Sequence, residues 1–131
     1  MPFGAEVLGD GRVHFGLWAP SASRVDLGLE DESSGQLLAM AAAGNGWFET
    51  ATQRAGPGTL YRYRIEGDQR VPDPASRFQP QGVHGPSQVV DSRSYRWHDS
   101  EWRGRPWEDA VVYELHVGTF APGGTFGAVE Q

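Results

Sequence analysis

The chain contains no cysteine and no lysine. Without cysteine there is no disulfide framework and no thiolate-based metal or redox centre. All 11 basic residues are therefore arginine, scattered rather than run together, against 17 acidic residues and a net charge of −6. That distribution argues against a nucleic-acid surface. Long apolar runs are also missing. The start, MPFGAEVLGDGR, has no basic stretch leading into an apolar one, and nothing later approaches membrane length. We expect a cytoplasmic protein with neither nucleic acid nor membrane as partner. What is present suffices for a core: 38% hydrophobic and 11% aromatic residues in 131 positions suit one domain with a fragment of a second.

The first half reads as short strands between turn residues. Ala5–Leu8 and Arg12–Trp18 flank Gly9-Asp10-Gly11, a hairpin signal, because Asp-Gly tolerates the positive φ of tight turns. Val13, Phe15 and Leu17 alternate with His14 and Gly16, and Val25, Leu27 and Leu29 alternate with Asp26 and Gly28. Each alternation makes one apolar face. Asp31–Gly35 predicts a polar turn before a strand over Leu37–Ala41. Further strands are expected at Trp47–Thr52 and Leu60–Ile65, where Tyr61, Tyr63 and Ile65 share one face and Arg62 and Arg64 the other. Gly67-Asp68 closes a turn before Val71. Turn clusters about every ten residues predict an all-β, antiparallel sandwich.

The texture then changes. Pro72, Pro74, Pro80 and Pro86 disfavour helix and central strand alike, so this stretch should be extended and ordered by side-chain packing. Ser87–Asp91 is a candidate last strand. Ser92–Asp109 is a polar connector in which Trp97, Trp102 and Trp107 are expected to pack onto a surface. Val111–Val117 is an almost continuous apolar run, the pattern of a strand buried on both faces. Thr125 is placed to cap a short helix from Phe126. A strand leading into a helix is how a β/α barrel begins.

Several residues are candidates for chemistry, each beside a plainer reading. Trp18, Trp47, Tyr61 and Tyr63 are a candidate sugar-stacking platform, whereas aromatics at alternating strand positions more often fill a core. The Asp73–Ser87 segment either lines a cleft rim or forms an ordered seam between domains, with Arg77 and His84 satisfying buried oxygens; its prolines favour the seam. Glu114 and His116, two apart on the expected strand, point to one face. They either line a sugar site or bond inside a barrel, and the remaining histidines, with His14 and His98 read as exposed or turn residues, are not placed to complete a metal site. Gly123-Gly124-Thr125 is explained as well by a turn as by an anion cradle.

The run VHFGLWAPSASRVDLGL (13–29), with Gly46-Trp47-Phe48 and the later YRYRI (61–65), resembles the isoamylase-type N-terminal module, family 48 of the carbohydrate-binding modules. PDPASRFQPQGVHGPSQVVD (72–91) and WRGRPWEDAVVYELHVGTFAPGGTF (102–126) are similar to the maltooligosyltrehalose trehalohydrolases of the α-amylase superfamily, glycoside hydrolase family 13. The resemblance implies an immunoglobulin-like (early-set) module over 1–91, a linker over 92–109, and the start of a truncated catalytic (β/α)8 barrel over 110–131, with Val111–Val117 its one orphan strand. It implies a parent that hydrolyses the α-1,4 bond next to a terminal trehalose, without a cofactor. It also implies that the catalytic carboxylates belong to later barrel strands, so no catalytic, cofactor or metal residue is assigned here, and this chain alone should be inactive. Trp18 and Trp47 are the candidate glucan contacts, Asp73, Arg77 and His84 mark the domain seam, and Glu114 and His116 mark the barrel strand. The expected partners are the missing barrel, an α-glucan and, through the orphan strand, a second copy of the chain. Branching or debranching enzymes, which share the first motif, and a stand-alone glucan-binding module are the rival readings.

Overall fold

A computed structural model describes residues 3–30, 37–67 and 69–130. The turn expected over Asp31–Gly35 and Asp68 of the Gly67-Asp68 turn lie outside the described residues. The chain divides into two compact units, Met1–Arg96 and Trp97–Gln131.

Among the described residues the first unit has nine strands: β1 (Glu6–Val7), β2 (Val13–Trp18), β3 (Val25–Leu29), β4 (Leu37–Ala39), β5 (Ala41–Gly44), β6 (Trp47–Thr52), β7 (Leu60–Ile65), β8 (Gln69–Val71) and β9 (Ser87–Gln88). They form two antiparallel sheets. One has the order β1-β2-β6-β5; the other runs β4-β3-β7-β8, with β9 also paired to β7. The expected sandwich is therefore formed, and the period-two patterns explain how. Val13, Phe15 and Leu17 of β2 and Phe48 of β6 are buried against Val25, Leu27 and Leu29 of β3 and Tyr61 and Tyr63 of β7. Phe15 meets Tyr61 edge-on with ring centroids 4.9 Å apart, a favoured aromatic geometry that ties sheet to sheet. Tyr61 and Tyr63 are thus core residues, and the stacking role considered for them is excluded by burial.

The expected strand Leu37–Ala41 is two strands. Met40 separates them: its amide still donates to Val25 O at 3.0 Å, its side chain enters the core, and the chain crosses from one sheet to the other. No proline or glycine marks that crossing, because a buried side chain makes it.

The second unit differs from expectation more sharply. Val111–His116 form no strand, and α1 (Val117–Phe120) begins where the strand was to end. A strand needs a neighbour to take its amides and carbonyls, and none is offered within this unit. Val111 is 96% exposed. A dimer contact through that strand loses its premise with it. Thr125 caps α2 (Phe126–Val129) as expected, its hydroxyl oxygen accepting from the Ala128 amide at 3.2 Å. Trp97, Trp102 and Trp107 have largely exposed side chains. No helix among the described residues is long and apolar enough to cross a membrane.

Candidate functional site

Alternation along β2 sends Val13, Phe15 and Leu17 inward and leaves His14, Gly16 and Trp18 on the outer face of the β1-β2-β6-β5 sheet. Antiparallel register then sets Trp18 directly across from Trp47, and Gly16 across from Glu49. Trp18 is 58% exposed yet fixed, since its indole N–H donates to Asn45 O at 3.0 Å. The turn that supplies this oxygen is itself clamped. Gly46 has φ +82°, and a Cβ there would lie 2.8 Å from Pro20 Cα, so only glycine fits against the proline.

Trp47 is half-buried and spreads across Gly16, its Cζ3 4.0 Å from where a Cβ at Gly16 would sit. Phe3 flanks it at 5.5 Å between ring centroids. His14 Nε2 lies 3.6 Å from Glu49 Oε2 on the same face. An aromatic surface, widened by a missing side chain and bordered by a few polar groups, suits a ligand with apolar faces and hydroxyl edges. The structure brings the two predicted tryptophans together. Sequence reasoning missed His14, Glu49 and Phe3. His14 was read as exposed but is half-buried, and extending the β2 alternation to its polar positions would have found it.

The Pro72–Asp91 segment is held by side chains. Asp73 is 3% exposed. Its Oδ2 accepts from Tyr61 Oη at 2.6 Å and from Tyr63 Oη at 3.3 Å, and its Oδ1 accepts from the Ala75 amide at 2.7 Å. The Asp73 amide donates to Ser87 Oγ at 2.9 Å, which joins both ends of the segment. The Tyr63 hydroxyl also reaches Gly16 O in the opposite sheet at 3.3 Å. Burial, reinforced by the Asp73 charge, pushes both phenols well above the ordinary tyrosine range. Arg77 donates to Ala5 O at 2.7 Å and so pins the segment to the chain's start. His84 does not share in this: its side chain is exposed, and it offers only its carbonyl, to Arg62 at 3.3 Å.

Glu114 and His116 do not form a pair on one strand face, because there is no strand. Both are exposed; His116 precedes α1 and accepts from the Thr119 and Phe120 amides through its carbonyl, each at 3.0 Å.

Residues 2–80 match the family model of carbohydrate-binding module 48, the isoamylase N-terminal domain. The chain is 42% identical over 125 residues to a malto-oligosyltrehalose trehalohydrolase of Rhizobium sp. (strain M-11), covering 93% of this chain and 21% of that protein. A crystal structure of a candidate alpha amylase from Salmonella typhimurium superimposes with a TM-score of 0.82 at 46% identity, over 97% of this chain and 21% of that one. A pullulanase from Paenibacillus barengoltzii, solved in complex with maltohexaose and alpha-cyclodextrin, gives 0.66 at 28% identity, over 92% and 20%. This chain spans about a fifth of the length of the curated relatives it matches. With the two-sheet architecture and a family match over most of the sandwich unit, the chain belongs to carbohydrate-binding module family 48, the isoamylase N-terminal domain.

Proposed function

We propose that this chain is the non-catalytic N-terminal module of a cytoplasmic, trehalose-releasing hydrolase of the α-amylase superfamily. The full-length protein would hydrolyse the α-1,4 bond beside the terminal trehalose of a maltooligosyl-trehalose by a retaining mechanism without a cofactor. In this reading residues 1–91 are the module, 92–109 a linker, and 110–131 the entry to the catalytic barrel, where Glu114 and His116 acquire their surroundings. The Asp73 and Arg77 contacts make the Pro72–Asp91 segment rigid enough to serve as the seam against that barrel.

The observation that carries the module's role is the Trp18–Trp47 pair on an open sheet face. The relatives' names point to α-glucans, and the two rings offer flat surfaces for the apolar faces of glucose units. Holding a glucan chain beside a tethered active site raises its effective concentration there. Hydrolysis by this chain alone is not expected. Among the described residues the buried carboxylates are Asp26 and Asp73; the first is held by Arg24 and the second by two tyrosines. Retaining hydrolysis needs two carboxyl groups about 5–5.5 Å apart across the scissile bond.

Affinity electrophoresis in amylose or glycogen gels tests the binding role. The chain should be retarded, and Trp47→Ala should raise its dissociation constant about tenfold, a loss of about 1.4 kcal/mol. Unretarded migration of the folded chain, or equal retardation of a folded Trp18→Ala/Trp47→Ala variant, removes the glucan site. Free trehalose among the end products of the full-length protein separates this parentage from a branching or debranching enzyme.

A further inference from the structure

Beside the two tryptophans, the outer face of the first sheet holds polar groups that stacking alone does not use. Gly16 stands across from Glu49, two residues along β2 from the Trp18–Trp47 row and two from His14. Strand geometry spaces these rows about 6.7 Å apart. His14 leans along its own strand toward Gly16, its Cε1 3.5 Å from where a Cβ there would sit, and Trp47 Cζ3 lies 4.0 Å from the same point. Register brings the two rings to Gly16 from opposite ends of the strand. The missing side chain lets both lie low on the sheet.

The fold itself does not require this arrangement. Gly16 has no positive φ, and a Cβ would meet nothing closer than 3.5 Å. Glycine inside a strand weakens it, so a larger residue would serve stability better. The leaning imidazole brings His14 Nε2 to 3.6 Å from Glu49 Oε2, with the two side chains 23% and 45% exposed. At that distance the pair does not hydrogen-bond, and an accessible ion pair of this kind adds little stability.

We propose that Gly16, His14 and Glu49 form a second sugar position, which determines the ligands this face accepts. The proposal rests on the glucan reading of Trp18 and Trp47 and adds a hydroxyl-reading step to it. With one glucose unit over the tryptophans, its neighbour in the chain lies over Gly16 against the edge of Trp47. One of its ring hydroxyls donates to Glu49 Oε2, a charge-assisted bond, and the hydroxyl on the adjacent carbon bonds His14 Nε2. Two polar atoms this close suit two vicinal hydroxyls. A ligand of the same shape without hydroxyls covers the carboxylate and leaves it unpaired, so it is rejected. Gly16 sets the height of the floor on which the ring rests.

The test is calorimetric titration of the 131-residue chain with maltoheptaose, together with the Tm of each variant. The wild type should bind. Gly16→Val should weaken binding about tenfold, by raising a ridge under the sugar, while its Tm equals or exceeds that of the wild type. Glu49→Gln, at an accessible position outside the core, should weaken binding about fivefold with Tm unchanged. Arg70→Gln, exposed on the other sheet, should change nothing. Should Gly16→Val lower Tm, Glu49→Gln decides. If maltoheptaose binds and Trp47→Ala weakens it, but Glu49→Gln binds like the wild type, the second position is overturned and the glucan reading stands. No binding by the folded wild type overturns both.

Discussion

An Asp73→Ala variant should lose about 3–5 kcal/mol of unfolding free energy, seen in urea titration as a lower midpoint with little change in slope. The carboxylate is the acceptor for two buried phenols, at 2.6 and 3.3 Å, and for the Ala75 amide. Removing it strands both hydroxyls, each costing about 1–3 kcal/mol when unsatisfied in a core. Against a typical total of about 5–15 kcal/mol, the loss brings the sandwich near the edge of folding. Asp73→Asn is the informative partner variant. It keeps one carbonyl acceptor at the same place and should lose about half as much. Equal stability of Asp73→Ala and wild type would mean that the Pro72–Asp91 segment is held by something else.

The same cluster makes the module sensitive to alkali. The folded-state phenols of Tyr61 and Tyr63 titrate well above the ordinary value near 10. In the unfolded chain they ionise at that ordinary value, so between the two the native state holds protons that the unfolded state has released. Stability is complete below pH 10 and falls as pH rises above it, by about 1.4 kcal/mol per pH unit for each tyrosine and about 2.7 for the pair. Denaturant midpoints measured from neutral pH upward should stay level on this account and then drop steeply. Tyr61→Phe should roughly halve the slope. A stability curve flat through the alkaline range would show that the phenols are not protected.

The lettering of β2 and β7 sufficed to place those strands, because apolar and polar positions alternate along most of each. The division at Met40 was not legible, since the change of sheet depends on which core gap its side chain fills. Tyr61 and Tyr63 illustrate the limit for site residues. Alternation gave their shared face correctly, but only the opposite sheet, with Phe15 at 4.9 Å, shows that this face is interior. Trp18 and Trp47 could not be told from core aromatics until register set them side by side on the outer face. Val111–His116 failed for the reverse reason: an apolar pattern states what a strand would bury, not that a neighbour exists to pair with it.

On the proposed function, the open face of Trp18 and Trp47 meets glucan while the rest of the module provides structure. Titrating the isotopically labelled chain with maltoheptaose and following its five tryptophan indole N–H resonances tests this directly. The signals of Trp18 and Trp47 should move together to saturation, while those of Trp97, Trp102 and Trp107 stay in place. Saturable shifts confined to Trp97, Trp102 and Trp107, or no movement at Trp18 and Trp47, would contradict it.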